Sequence, residues 1–352
     1  MKAAIIGLPQ SGKTTLFQAL AGSAGGKDKG GLTMGSVPVP DVRVDRLTDM
    51  YRPKKTVPAV LEIVEAQAPS IGNLEKRGQG LDSAFLNMVK PMDAFLLVAR
   101  AFDGEGLCEP ARDVSTVIDD LVLADLMVVE NRLERMDLDV RKGKTPAPPE
   151  ERKALERAKE LLSEGRLVHD DPELAVHPDL KGYAFLTGRP IIVVLNVADD
   201  QIGLDRDALL AGANLPVHGL PTFPCCAKVE QEIQDLPAED RGEFMEAMGI
   251  TEPVLDVVIR ETYASLGLVS FLTVGEDEVR AWTIRQGTPA PRAAGTVHSD
   301  MERGFIRAEV MTYDDLMNLG SEAAVKKAGK ARLEGRDYVV LDGDVIHFRF
   351  NV

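Results

Sequence analysis

The chain has 352 residues, of which 44% are hydrophobic and 28% charged, and a formal net charge of −15. That acidity excludes a protein that holds nucleic acid by its overall field, so any RNA or ribosome contact has to come from local patches. Three cysteines (Cys108, Cys225, Cys226) without a CxxC pair, and five scattered histidines, argue against a disulfide framework and against a clustered metal site.

The length predicts two to three domains. The opening MKAAIIG lacks the apolar run and cleavage site of a signal peptide, and no stretch approaches the ~20 apolar residues of a membrane span. The expectation is a cytoplasmic protein with no membrane partner. Residues 3–6 read as a short buried strand, 7–14 as a turn, and 15–20 as the start of an amphipathic helix. Strand-like runs recur at 57–64, 94–98 and 190–195 with helical patterns between them, which predicts an α/β domain with a mainly parallel sheet.

Between these runs the period changes. Ile118, Val122, Leu126, Val129, Leu133, Met136 and Val140 recur at gaps of three and four, the seam of a long helix. A breaker-rich tip follows at 142–149, and Ala154, Leu155, Ala158, Leu161 and Leu162 then share one face of a second helix. Two helices joined by a short tip predict an antiparallel hairpin inserted at 113–185. From residue 267 strand runs at 271–274, 279–284, 305–310, 338–341 and 345–350 predict a small α+β domain with Trp282 and Phe305 in its core. The expected division is 1–112 with 186–266, the insertion 113–185, and 267–352.

The residues that carry chemistry open the chain. Gly7, Leu8, Pro9, Gln10, Ser11, Gly12, Lys13 and Thr14 fit G-x-x-x-x-G-K-[ST], after a strand and before a helix. The glycines let successive N–H groups point at phosphates, and the following helix, from Thr15 on, presents its positive end to the same anion. Lys13 is expected to reach the β- and γ-phosphates and the Thr14 hydroxyl to ligate Mg²⁺. The motif alone does not choose between ATP and GTP.

The opening IIGLPQSGKTTLFQAL resembles the YchF / Obg-like ATPase family of P-loop proteins. So do VPVPDVRVDRL, AKVEQEI, the long segment GEDEVRAWTIRQGTPAPRAAGTVHSDMERGFIRAEV and the ending AGKARLEGRDYVVLDGDVIHFRFNV. The resemblance implies a P-loop nucleotide-binding domain split by a coiled-coil-like hairpin, then a β-grasp domain of the TGS type. It also implies ATP preferred over GTP, slow hydrolysis, Mg²⁺ as cofactor, association with the ribosome, and a monomer.

Base recognition then falls on Asn196, Val197 and Asp199, directly after the strand at 190–195, with Ala227 and Lys228 lining the base from the last nucleotide-contacting loop. Where GTPases carry N-K-x-D and the family N-x-x-E, this chain has Val197 and Asp199, so ATP and GTP both stay open. The family's D-x-A-G is replaced by Glu65, Ala66, Gln67, Ala68 and Pro69, with Glu65 a candidate to hold Mg²⁺ through water and no glycine at the γ-phosphate-sensing offset. The stretch up to Gly78, Gln79, Gly80 and Leu81 is about two residues longer than usual, the first switch is altered around Lys27–Met34, and Gln10 stands where the family has Asn. These changes spare the phosphate cradle and touch the groups that position water, so binding is expected with slowed turnover. A hydrolysis-deficient relative serving as an RNA or ribosome interaction module is the alternative.

Overall fold

The computed structural model describes residues 1–22, 26–27, 32–66, 83–104, 108–215 and 219–351. Its strands are β1 (Lys2–Ile6), β2 (Gly26–Lys27), β3 (Leu32–Pro38), β4 (Lys55–Val57), β5 (Val60–Ala66), β6 (Ala94–Ala101), β7 (Ile191–Val197), β8 (Thr222–Cys225), β9 (Leu268–Thr273), β10 (Glu278–Arg285), β11 (Phe305–Thr312), β12 (Arg332–Glu334) and β13 (Asp344–Phe350). They form two sheets, ordered β2-β3-β5-β1-β6-β7-β8 and β12-β11-β13-β9-β10-β4. The first helices are α1 (Lys13–Ala21), α2 (Val42–Tyr51), α3 (Ser83–Val89), α4 (Pro110–Arg141) and α5 (Pro149–Ser163). Chain contacts divide the molecule into two compact units, Met1–Ser36 with Glu62–Val258, and Val37–Leu61 with Ile259–Val352.

In the first unit β5, β1, β6, β7 and β8 run parallel. A parallel sheet covered on both faces needs strands that are apolar throughout. Ala3–Ile6, Ala94–Ala99 and Ile191–Val197 meet that demand, and all but the polar Asn196 in these runs are core residues. This is the P-loop NTPase architecture, with the inserted hairpin of α4 and α5.

Pro110 begins α4 and Pro149 begins α5, where a missing N–H leaves no helical bond unmade. The two helices run antiparallel, as their cross-pairs show: Lys159 with Glu130 at 2.9 Å, and Arg152 with Asp137 at 2.8 Å. The base of the hairpin belongs to the main core, because Val114, Val117, Ile118 and Leu121 share one cluster with Phe95 and Leu97. Asp125, 3% exposed, pins that base: it accepts from Leu186 N at 3.0 Å, Thr187 N at 2.7 Å and Thr187 Oγ1 at 2.7 Å. The seam does not reach the tip. Val140 is 51% exposed, because α5 begins only at Pro149 and gives it nothing to pack on.

In the second unit β9, β10, β11 and β13 surround a core of Phe271, Phe305 and Phe348, with Phe271 meeting Phe348 edge-on at 5.6 Å. Trp282 packs against this cluster and donates its Nε1–H to Thr273 Oγ1 at 2.9 Å. This is the α+β domain of TGS type. Two strand expectations change. The run 57–64 is two strands in two sheets, since β4 pairs with β10 while β5 pairs with β1, and Pro58 between them has no N–H for a ladder. Residues 37–61 therefore group with the carboxyl-terminal sheet rather than with the nucleotide-binding unit. The run 338–341 is not a strand but makes one bridge, Val339 to Pro289, while Arg332–Glu334 forms the edge strand beside β11.

Candidate functional site

Strand β1 is clamped between β5 and β6, and everything at its carboxyl end is set by that register. Gly7 leaves the strand with φ +147, and a Cβ there would lie 2.4 Å from the Val98 carbonyl oxygen. Gln10 takes φ +63, a left-handed conformation that Asn visits more readily than Gln. Gly12 follows at φ +94 and begins α1 as its N-cap, without any side-chain cap. The first N–H groups of α1 are thus offered, with the positive end of the helix, to an anion. Pro9 and Gln10 are exposed on this loop, Leu8 and Thr15 half-buried, and Ser11 buried.

Lys13 Nζ folds back to donate to the Leu8 carbonyl at 2.6 Å. Burial pulls its ammonium down to about 8 from 10.5, with the nearby Glu65 carboxylate working in the opposite direction. Phosphate binding needs the charged ammonium. Nucleotide affinity is therefore expected to be level below pH 8 and to fall by up to about tenfold per pH unit above it, as binding has to draw a proton from solution. Calorimetry in buffers of different ionisation heat reads that proton uptake; an affinity flat from pH 7 to 9.5 speaks against the assignment.

Glu65 lies at the end of β5, in register with Ile5 of β1, and is 4% exposed. It accepts the Thr14 hydroxyl at 2.5 Å. A buried carboxylate and a hydroxyl, both hard oxygen donors, thus stand side by side next to the Lys13 ammonium. Among the described residues no group of three or more His, Cys, Asp or Glu gathers to hold a metal. Two oxygens suit Mg²⁺, which keeps several waters and completes its shell with phosphate oxygens instead of using an all-protein cage. The residues present fit that ion.

Asn196, near the end of β7 and 5% exposed, ties three segments together. Its Nδ2 donates to the Ser11 carbonyl at 3.0 Å, and its Oδ1 accepts the Ala227 N–H at 3.0 Å. Gly12 is where the Asn196 amide needs room: a Cβ at Gly12 would lie 2.1 Å from Nδ2. Asp199 and Lys228 are exposed and meet at 3.4 Å. Val197 does not join them; it is 5% exposed within the core cluster. Gln67, Ala68, Pro69, Gly78, Gln79, Gly80 and Leu81, and residues 28–31 of the first switch, lie outside the described residues. Thr33 is in β3, opposite Lys27 of β2.

Sequence reading assigned Asn196 to the base and did not anticipate its grip on the P-loop, since that bond spans 185 positions. It also passed over Glu230, 3% exposed on the helix Ala227–Asp235. A signal was available: Ala227, Glu230 and Ile233 recur at helical spacing, which puts an acid on the buried face.

The chain is 39% identical to the ribosome-binding ATPase YchF of Bacillus subtilis (strain 168) over 373 residues, covering all of both proteins. It is 36% identical to Obg-like ATPase 1 of Bos taurus, covering all of this chain and 92% of that one. A family model for the carboxyl-terminal part of YchF GTPases, described as a protein of unknown function (DUF933), matches residues 268–351. Among solved structures, that of the Schizosaccharomyces pombe YchF GTPase is similar with a TM-score of 0.85 at 30% identity, over 99% of this chain and 97% of that one.

Proposed function

Because the chain belongs to the YchF / Obg-like ATPase family, we propose that it binds a Mg²⁺–purine nucleotide at Gly7–Thr14, prefers ATP to GTP, hydrolyses it slowly, and acts as a ribosome-associated switch. The observation that carries this reading is the junction at Asn196, which joins the phosphate loop to the loop of Ala227 and Lys228 through two hydrogen bonds. A nucleotide spanning both loops would bind a frame whose parts are already fixed relative to one another, and such preorganisation reduces the ordering cost of binding.

In this frame Lys13 and the α1 N–H groups would hold the phosphates. Thr14 would ligate Mg²⁺, with Glu65 receiving one of its waters; bound there, the ion would neutralise charge on the β- and γ-phosphates. Ala227 and the Lys228 stem would flank the base. Relatives are called ATPases in some cases and a GTPase in another, so base choice has to be argued from this chain. Asp199, the acceptor that guanine N1–H and N2–H would need, is shared with the exposed Lys228 ammonium at 3.4 Å, so guanine has to compete for it, which supports ATP as the preferred nucleotide. We further assign residues 113–185 as an inserted arm and 267–352 as a TGS-type module.

Slow turnover is expected from the sequence after Glu65, where Ala68 and not a glycine stands at the γ-sensing offset of the family's D-x-A-G. The same feature favours the second reading, a hydrolysis-deficient protein that uses nucleotide structurally. Release of phosphate from ATP and from GTP by purified protein, with Lys13→Ala as blank and with ribosomes added or omitted, separates the two. Turnover at the blank's rate under every condition selects the second.

Asp199→Asn tests the base contact. Replacing a carboxylate that accepts from guanine removes about 1.5–3 kcal/mol, so GTP affinity is expected to fall roughly 10- to 150-fold while ATP affinity changes little. Competition between labelled ATP and GTP analogues measures both. Equal losses would mean that Asp199 does not read the base.

A further inference from the structure

A cavity of about 310 Å³ opens behind the loops proposed to hold the base, at the carboxyl ends of β7 and β8. Val197, Ile202, Leu209, Phe223, Cys226 and Val257 give it apolar walls. Neither the P-loop nor Asp199 and Lys228 line it, so it is separate from the nucleotide site. Apolar walls with a few polar groups are the make-up of a small-molecule site.

Two carboxylates, Glu230 and Glu252, face one guanidinium, Arg206. Arg206 is already engaged: it donates Nη2–H to the Thr222 carbonyl at 2.8 Å and lies over the Phe223 ring at 5.0 Å. Glu230 has a structural role, since the backbone N–H groups of Val254 and Leu255 both act on its carboxyl. Oε1 accepts the Val254 N–H at 2.7 Å and so holds the start of the helix Val254–Ser265, while the buried Oε2 has no hydrogen-bond partner. A buried acceptor without a partner is unfavourable, and a carboxylate has capacity for several donors.

We propose that this cavity binds a small apolar amine whose ammonium pairs with Glu230, and that the bound amine braces the two base loops from behind. Burial pushes the Glu230 carboxyl up to about 7 against the pull of the Val254 and Leu255 N–H groups, with Asp256 adding to the rise. An ammonium is the group that supplies both the missing donor and an opposite charge. Coupling to the nucleotide follows from shared walls. Val197 separates Asn196 from Ala198, and Cys226 precedes the Ala227 N–H that Asn196 accepts.

Calorimetric titration of the nucleotide-free full chain with phenethylamine and with phenethyl alcohol reads the site without relying on nucleotide binding. The amine is expected to bind at least about tenfold more tightly than the alcohol, the value of one additional charge-assisted hydrogen bond. Glu230→Gln keeps an oxygen for the Val254 N–H and should erase that preference. Leu209→Trp, which fills the cavity from one wall, should abolish binding of both probes. Equal binding of amine and alcohol, an amine preference that survives Glu230→Gln, or no binding of either probe would each overturn the proposal.

Discussion

Lys13→Ala is expected to abolish detectable binding of a fluorescent ATP analogue while leaving the fold intact. The two halves of that expectation have separate physical grounds. The Lys13 ammonium is partly desolvated, donates to the Leu8 carbonyl and is attracted by the nearby Glu65 carboxylate. Its removal relieves that desolvation but gives up the attraction to Glu65, and it leaves alanine, a good helix former, as the first residue of α1. These effects oppose one another, so unfolding by denaturant should show a midpoint close to that of the parent. For the bound state, truncating one member of a close, partly buried charge pair removes roughly 2–5 kcal/mol, or about 30- to 5,000-fold in affinity. The α1 N–H groups and Gly12 remain, so residual weak binding at high nucleotide concentration is consistent with the assignment. Unchanged affinity in a folded variant would show that the phosphates lie elsewhere.

How much of this site was legible in the sequence depends on distance along the chain. The cradle from Gly7 to Thr14 is local: strand, turn and helix follow one another, and the residue types at each position state the backbone they need. The parallel sheet was legible for a related reason, since strands buried on both faces must be apolar throughout, as 94–98 and 191–195 are. The second long helix and its tip could also be read, because Pro149 and the breakers before it are local signals. What escaped reading was pairing at a distance. Nothing local in 57–64 says that Val57 joins Arg280 while Glu62 joins Lys2; only Pro58 hints at the break. Val197 sits in a motif position that suggested the base, yet the alternation of β7 turns it into the core. Glu65 was inferred from the family resemblance, as the residue at the place of the D-x-A-G aspartate, and the structure adds the Thr14 hydroxyl beside it. Asn196 shows the same limit most clearly, because its partners Ser11 and Ala227 lie far from it in opposite directions along the chain.

Gly12→Ala is expected to damage both stability and nucleotide binding, and Asn196 explains why. Two penalties act at this position. A φ of +94 is left-handed backbone, which any residue with a Cβ resists by roughly 1–2 kcal/mol. The added methyl would also approach Asn196 Nδ2 to 2.1 Å, so the amide has to withdraw. Withdrawal breaks its bonds to the Ser11 carbonyl and from the Ala227 N–H, each contributing about 0.5–1.5 kcal/mol. The total is about 2–5 kcal/mol, large against the marginal stability of a folded domain. Nucleotide affinity should fall as well, since the phosphate loop and the Ala227–Lys228 loop lose the strut between them. The explanation can be separated from strain alone by a cycle with Asn196→Ala. In the double variant the clash has no object, so its destabilisation should be smaller than the sum of the two single changes by at least about 1 kcal/mol. Denaturant titration of the four proteins measures that difference. Strict additivity would show that Gly12 is required for its backbone conformation and that Asn196 has no part in the requirement.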